Sequence, residues 1–348
     1  MKIPHINIMR PGVSSPRVSK GCLDSAPFGI NECLANAALA HARATDTAHA
    51  NRYKLSKLAA IFLCAFLMNA CGLDQKGMVM LTDPDYRATV IATNKDGFEV
   101  ADGILWRQGK LIMADEAGGA LRIWHDAKNV KTLCDTTLGI QSPEDLVMDK
   151  EGNIFFTDDD AGGVWEVDKN GKAFLLAGKE KGLVSTEGIA LSPSGAILVG
   201  DGVRHQVFSV SRTGEVTVFL GPGYGITKPE SMVYDEKGNL YIADNEDQIV
   251  YVLTPEMKLQ RLIENRAGFS PETIWYAGHT LYITDSSDGK LMRYTPEEGV
   301  KTIAVLGGKL SNICGITMDD QGSIYVSIQT DLKRKTGYLL RLDKEPQA

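Results

Sequence analysis

SPEDLVMDKEGNIFFTD, residues 142–158, decides the fold, because the chain repeats its pattern. Matching stretches are EVADGILWRQGKLIMAD from Glu99, STEGIALSPSGAILVGD from Ser185, KPESMVYDEKGNLYIAD from Lys228, SPETIWYAGHTLYITD from Ser270 and NICGITMDDQGSIYVS from Asn312. Anchored on Asp102, Glu144, Glu187, Glu230, Glu272 and Cys314, they recur at spacings of 42, 43, 43, 42 and 42 residues. Such a register marks one structural unit used repeatedly. In the second copy LVMD, IFFTD, VWEVD and AFLLAG are four short apolar runs, separated by Lys150–Asn153, Asp159–Gly162 and the Asn170-Gly171 turn. Alternation with Gly-rich turns predicts four antiparallel strands. One such sheet cannot bury both faces until neighbours stack around an axis, so the reading is an all-β, six-bladed β-propeller.

The ends of the repeat array predict how the ring closes. The sixth copy supplies three strands, ITMD, SIYVSI and YLLRLD, before the chain stops at Ala348. A fourth is available from Ala88–Thr93, ahead of the first copy, and its pairing would leave no open edge in the ring. The predicted boundaries are an unassigned extension over 1–53, an export segment over 54–71, a linker over 72–85 and the propeller over 86–345.

In a propeller the first strand of each blade lines the axis, so the residues opening the copies point toward one mouth of the channel. Asp102, Glu144, Glu187, Glu230 and Glu272 are acids and Cys314 breaks the series. Converging carboxylates must be relieved by a cation, by protonation, or by turning aside to backbone N–H groups. Loops after the second strands open on the same face and are acidic too, beginning at Asp115-Glu116, Asp158, Asp201, Asp244 and Asp285. Among them Arg204 is the one base and His205 the one imidazole, with Asn245 beside Asp244. His205 therefore competes between a proton-transfer role and a turn residue. Trp106, Trp124, Trp165 and Trp275 fall on strands and read as core wedges, and Lys333–Lys335 reads as a solvated loop tip.

The PEG-like start of each copy, the GNLYIAD-type second strand, the six-fold count and the closure resemble the senescence marker protein/gluconolactonase group of propellers, over about residues 86–345. NHL-repeat and strictosidine synthase-like proteins are near relatives of that group. The resemblance implies calcium, or magnesium, held by Asp102, Glu187, Glu230 and Glu272, although Asn is expected within such a ligand set and is missing here. It implies a divalent-metal-dependent hydrolase of lactones or other esters, with Glu272 and His205 as catalytic groups and Glu144, Arg204 and Asn245 as substrate contacts. The rival reading is a non-catalytic cell-envelope propeller that binds a cation, a cationic ligand or a protein partner on its acidic face. Amine binding by a ring Glu, as in strictosidine synthase-like proteins, is a third. A fold of this kind hosts unrelated functions, so whether the chain is an enzyme stays open at this point.

Charge narrows the partners. The chain has 37 Lys plus Arg against 44 Asp plus Glu. From Cys71 onward the balance is 29 to 41, a net −12, which argues against nucleic acid. No Gly-x-Ser-x-Gly elbow, Walker loop or dinucleotide fingerprint occurs. Of the cysteines, Cys22 and Cys33 precede the export segment, Cys64 lies in it and Cys71 ends it, leaving Cys134 and Cys314 in the body, too few for a disulfide scaffold and without zinc-ligand spacing.

Leu58–Leu67 is an unbroken apolar run preceded by Arg52, Lys54 and Lys57. Ten residues are too short to span a bilayer but suit the core of a secretory signal. The ending Met68-Asn69-Ala70-Cys71-Gly72 resembles a bacterial lipobox, which implies export to the cell envelope, acylation of Cys71, and membrane contact only through that lipid; a plain signal peptide with a periplasmic product is the alternative. Translation starting near Leu55 would explain the preceding extension. Mass spectrometry of the mature protein is expected to find cleavage before Cys71 and a lipid on it; an unmodified Cys71 would remove the anchor.

Overall fold

The computed structural model describes residues 8–9, 78–126, 129–264, 268–307, 312–331 and 336–345. The stretch read as an export segment, Cys71 and the Lys333–Lys335 loop lie outside the described residues; Ile8–Met9 is a two-residue strand. From Met78 onward the described chain is strand and turn, with three single-turn 3-10 segments and no α-helix.

Six antiparallel sheets follow in chain order, and each has its first strand innermost. The innermost strands are Ala101–Arg107, Pro143–Met148, Thr186–Leu191, Pro229–Tyr234, Pro271–Ala277 and Asn312–Met318. Each touches the next, and the last touches the first, so the ring is continuous. Hairpins between first and second strands follow from local chemistry. Asp149 accepts the backbone N–H of Asn153 at 2.8 Å, Asp235 that of Asn239 at 2.8 Å and Asp319 that of Ser323 at 2.8 Å.

Hydrophobic burial is partitioned between blades. Leu105, Ile112 and Leu121 of the first blade meet Leu146, Phe156 and Trp165 of the second, and equivalent clusters fill each remaining gap. Trp106 stacks on Tyr325 of the sixth blade with ring centroids 4.8 Å apart, as expected of a core wedge. Close backbone approach accompanies this packing. A Cβ on Gly188 would lie 2.7 Å from the Glu230 carbonyl oxygen, and one on Gly315 would lie 2.3 Å from that of Asp102.

Tyr86–Thr93 pairs antiparallel with Thr336–Lys344 as the outer strand of the sixth blade. The stretch 72–85 differs from its reading as a linker. Met78–Leu81 pairs with Ala304–Gly307 on the outer edge of the fifth blade, and Val79 and Leu81 are buried between blades five and six. Four residues carry too little periodicity to announce a strand. Deleting 72–81 is expected to lower stability by roughly 3–6 kcal/mol, from two lost buried side chains. Deletion through Thr93 should abolish cooperative unfolding in urea; equal midpoints for the two truncations would contradict this closure.

Candidate functional site

A break in strand pairing aims each ring residue. Register between the innermost and second strands slips between Ala101 and Ile104, Pro143 and Leu146, Thr186 and Ile189, Pro229 and Ser231, Pro271 and Ile274, and Ile313 and Ile316. Asp102, Glu144, Glu187, Glu230, Glu272 and Cys314 all fall inside these slips. A bulge of this kind releases a side chain from the pleat and re-aims it. The five acids accordingly line one cavity together with Asp145. Cys314 is buried instead, and burial followed by the surrounding carboxylates pushes its thiol well up.

The aspartates that open the neighbouring loops have a structural task. Asp115 accepts the N–H groups of Glu99 and Val100, both at 2.9 Å; Asp158 accepts those of Gln141 and Ser142, both at 2.9 Å. Asp201 takes Val184 at 2.8 Å, Asp244 takes Thr227 at 2.7 Å and Lys228 at 3.0 Å, and Asp285 takes Ser270 at 3.1 Å. All five are buried. They fix the approach to the innermost strand and are unavailable to a ligand.

The carboxylates find their relief within the chain. Lys228 Nζ lies 2.5 Å from Glu230 Oε1 and 3.3 Å from Glu187 Oε1. Asn245 turns its amide Nδ2 to Glu230 at 2.5 Å and to Glu272 at 3.4 Å. Ser185 Oγ shares its hydrogen between Asp159, the closer acceptor, and Glu187 at 3.1 Å, and Gln329 Nε2 donates to Glu116 at 3.4 Å. Asp102 and Glu144 hydrogen-bond to each other, which requires one of them to keep a proton. Burial, then the charges of Glu116 and Glu272, hold Asp102 well above the ordinary carboxylate range; burial and the Asp102 charge do the same to Glu144. Glu230 is also raised well above that range, by burial first and then by Glu272 and Glu187, so its bond to Lys228 offsets only part of the desolvation.

This arrangement does not fit a divalent ion held by Asp102, Glu187, Glu230 and Glu272. Among the described residues no three His, Cys, Asp or Glu side chains converge in a metal-holding geometry. An ammonium already lies between two of the expected ligands, and the nearby amide presents its N–H rather than its oxygen. Asn245 and Glu144, expected to touch substrate, do lie at the ring. Arg204 and His205 do not line the cavity. His205 is exposed with φ at +54°, and its Nδ1 lies 2.7 Å from the Thr227 carbonyl oxygen, the bonding of a turn residue. Lys228 escaped the sequence reading. Its signal was nevertheless there: the register two before the ring acid holds Ser142, Ser185 and Ser270 in three other blades and Lys in the fourth.

Protons held by Asp102 and Glu144, and by Asp145, whose carboxyl burial pushes up to about 7, bind more tightly in the folded than in the unfolded chain. Their stabilising effect is complete below the ordinary carboxylate range and is lost as pH rises through the raised values. Glu144→Gln supplies an N–H that needs no proton. It is expected to melt about 2–4 °C above the native protein at pH 8, with the difference shrinking toward pH 5; a constant difference across that range would contradict the shared proton.

No protein-family model matches the chain, and no curated relative is found by sequence. Solved structures do match. A gluconolactonase from Xanthomonas campestris superposes with a TM-score of 0.59 at 16% identity, covering 74% of this chain and 89% of that one. A streptogramin B lyase gives 0.57 at 12% identity, covering 74% and 97%. Virginiamycin B lyase from Staphylococcus aureus, crystallised with quinupristin, gives 0.57 at 14%, covering 74% and 99%. What this chain shares with these proteins is the six-bladed propeller, and the resemblance to gluconolactonase-like propellers read from its repeats holds at the level of the fold.

Proposed function

We propose that the channel mouth binds a small organic molecule carrying a positive charge, an amine or a related ammonium group. The observation that supports this is how Lys228 is held, with its ammonium 2.5 Å from one carboxylate and 3.3 Å from a second, both of which line a cavity walled mainly by acids. Lys228 engages Glu187 and Glu230, which leaves Glu272 and the Asp102–Glu144 pair as acceptors for a second cation. In a narrow acidic opening the field is focused, and a charge-assisted hydrogen bond there is worth more than one at the surface. Calorimetry with primary and quaternary amines against their uncharged N-acetyl counterparts is the test. Amines should bind, acetylated forms should not, and Glu272→Gln should weaken binding about tenfold, or ~1.4 kcal/mol. Saturable binding by none of the amines would remove this reading.

A second reading, hydrolysis of a lactone or other ester, is supported by one arrangement: Asp102 and Glu144 lie together in the cavity with Glu272, and burial raises both carboxyls well above the ordinary range, which favours a protonated form beside Glu272. In that reading Glu272 takes a proton from water, the water oxygen attacks the carbonyl carbon, and the developing oxyanion is met by the protonated carboxyl and the Lys228 ammonium. The ester C–O bond then breaks and the leaving oxygen takes up the proton. The gluconolactonase among the structural neighbours lends the same direction. Glu272→Gln should abolish turnover of an aliphatic lactone panel while the protein stays folded. His205 has no part in either reading.

A further inference from the structure

The architecture around Lys228 is specific to the fourth blade and serves to hold its side chain in the ring. Asp244 accepts the Lys228 backbone N–H at 3.0 Å, fixing where the side chain starts. The stem then passes over Gly202 of the third blade. A Cβ on Gly202 would lie 2.9 Å from Lys228 Cγ, 3.2 Å from its Cε and 3.1 Å from Glu187 Oε1. No positive φ demands glycine there, so the requirement is for space. Glu187 and Glu230 complete the slot from adjacent blades. In the second and third blades the residue at the Lys228 register is a serine bonded to its own ring glutamate, Ser142 to Glu144 at 3.4 Å and Ser185 to Glu187 at 3.1 Å. Those serines remove no charge; the lysine does.

We propose that Lys228 is a built-in occupant of the carboxylate ring that excludes divalent cations, so that this propeller works with a tethered ammonium where its resemblance implies a metal ion. A divalent ion drawn to Glu187 and Glu230 would have to expel a positive charge that cannot leave the neighbourhood, because the chain tethers it at effectively high local concentration. Repulsion between ion and ammonium at such distances in a partly desolvated site opposes co-occupancy. The inference holds whichever organic ligand the mouth takes.

The test is calorimetry with calcium chloride and with magnesium chloride on the full chain and its variants. The native protein should give no saturable binding at millimolar ion, and calcium should leave its melting temperature unchanged. Lys228→Met should gain one-site binding at least tenfold tighter than the native protein, with a melting temperature that rises with calcium, and adding Glu230→Gln should remove the gain. Gly202→Ala, which crowds the lysine stem and comes close to Glu187 Oε1 but removes no charge, should open the site in the same direction. If Lys228→Met does not fold, Gly202→Ala and amine-reactive labelling of native Lys228 decide: the labelling rate should be the same with and without millimolar calcium. Calcium binding to the native protein that Glu230→Gln weakens, a folded Lys228→Met or Gly202→Ala variant that gains no binding, or labelling accelerated more than twofold by calcium would each overturn the proposal.

Discussion

Five buried aspartates, one at the end of the second strand in each of the first five blades, hold the arrangement together. Each accepts backbone N–H groups from the segment leading into the innermost strand of its own blade. A loop that crosses the end of a sheet has N–H groups with no ladder partner, and the buried carboxylate satisfies two of them in the first, second and fourth blades and one in the third and fifth, while those donors compensate its own desolvation. With that segment anchored, the bulge that follows falls next to the ring acid in each of these five blades, and the acid leaves the pleat there. The acidic mouth is thus a consequence of a packing device.

Between blades the links are shorter in reach. In three places a hydroxyl on the second strand donates to the next blade's ring residue: Thr157 to the Glu187 carbonyl, Thr284 to that of Cys314 at 2.9 Å and Ser327 to that of Asp102 at 2.6 Å. Glycine after the ring residue lets the next backbone come close. The ring acids are therefore carried on closely packed backbone, where small relative movement is expensive. That rigidity suits a site in which a proton, an ammonium and several carboxylates must keep their spacing.

The near-symmetry of the repeats builds the fold, and the departures from it build the site. Lys228 replaces a serine, Asn245 stands where other loops have Glu116, Asp159, Gly202 and Ser286, and Cys314 replaces an acid. Each departure changes how the charge of the ring is relieved. Lys228 and Asn245 serve Glu187, Glu230 and Glu272 on one side of the channel, whereas Asp102 and Glu144 on the other side share a proton. The mouth is therefore electrically two-sided despite the regular backbone that carries it.

The sequence by itself determined the blade count, the four-strand unit, the partner strand for the sixth blade, the tryptophan wedges and the identity of the five ring acids, because all of these follow from a period that any register preserves. It also named the three ways such a ring is relieved without choosing among them. Only the tertiary structure assigned Lys228 to Glu187, 41 residues earlier in the chain and in a different blade, and only it separated the aspartates that cap loops from the glutamates that face the channel. It withdrew His205 to a turn and gave Met78–Leu81 an edge to pair with. The physical reason is common to these cases. Burial and hydrogen bonding depend on which groups the closed ring brings within about 3 Å of one another, and a periodic sequence specifies the ring long before it specifies those distances.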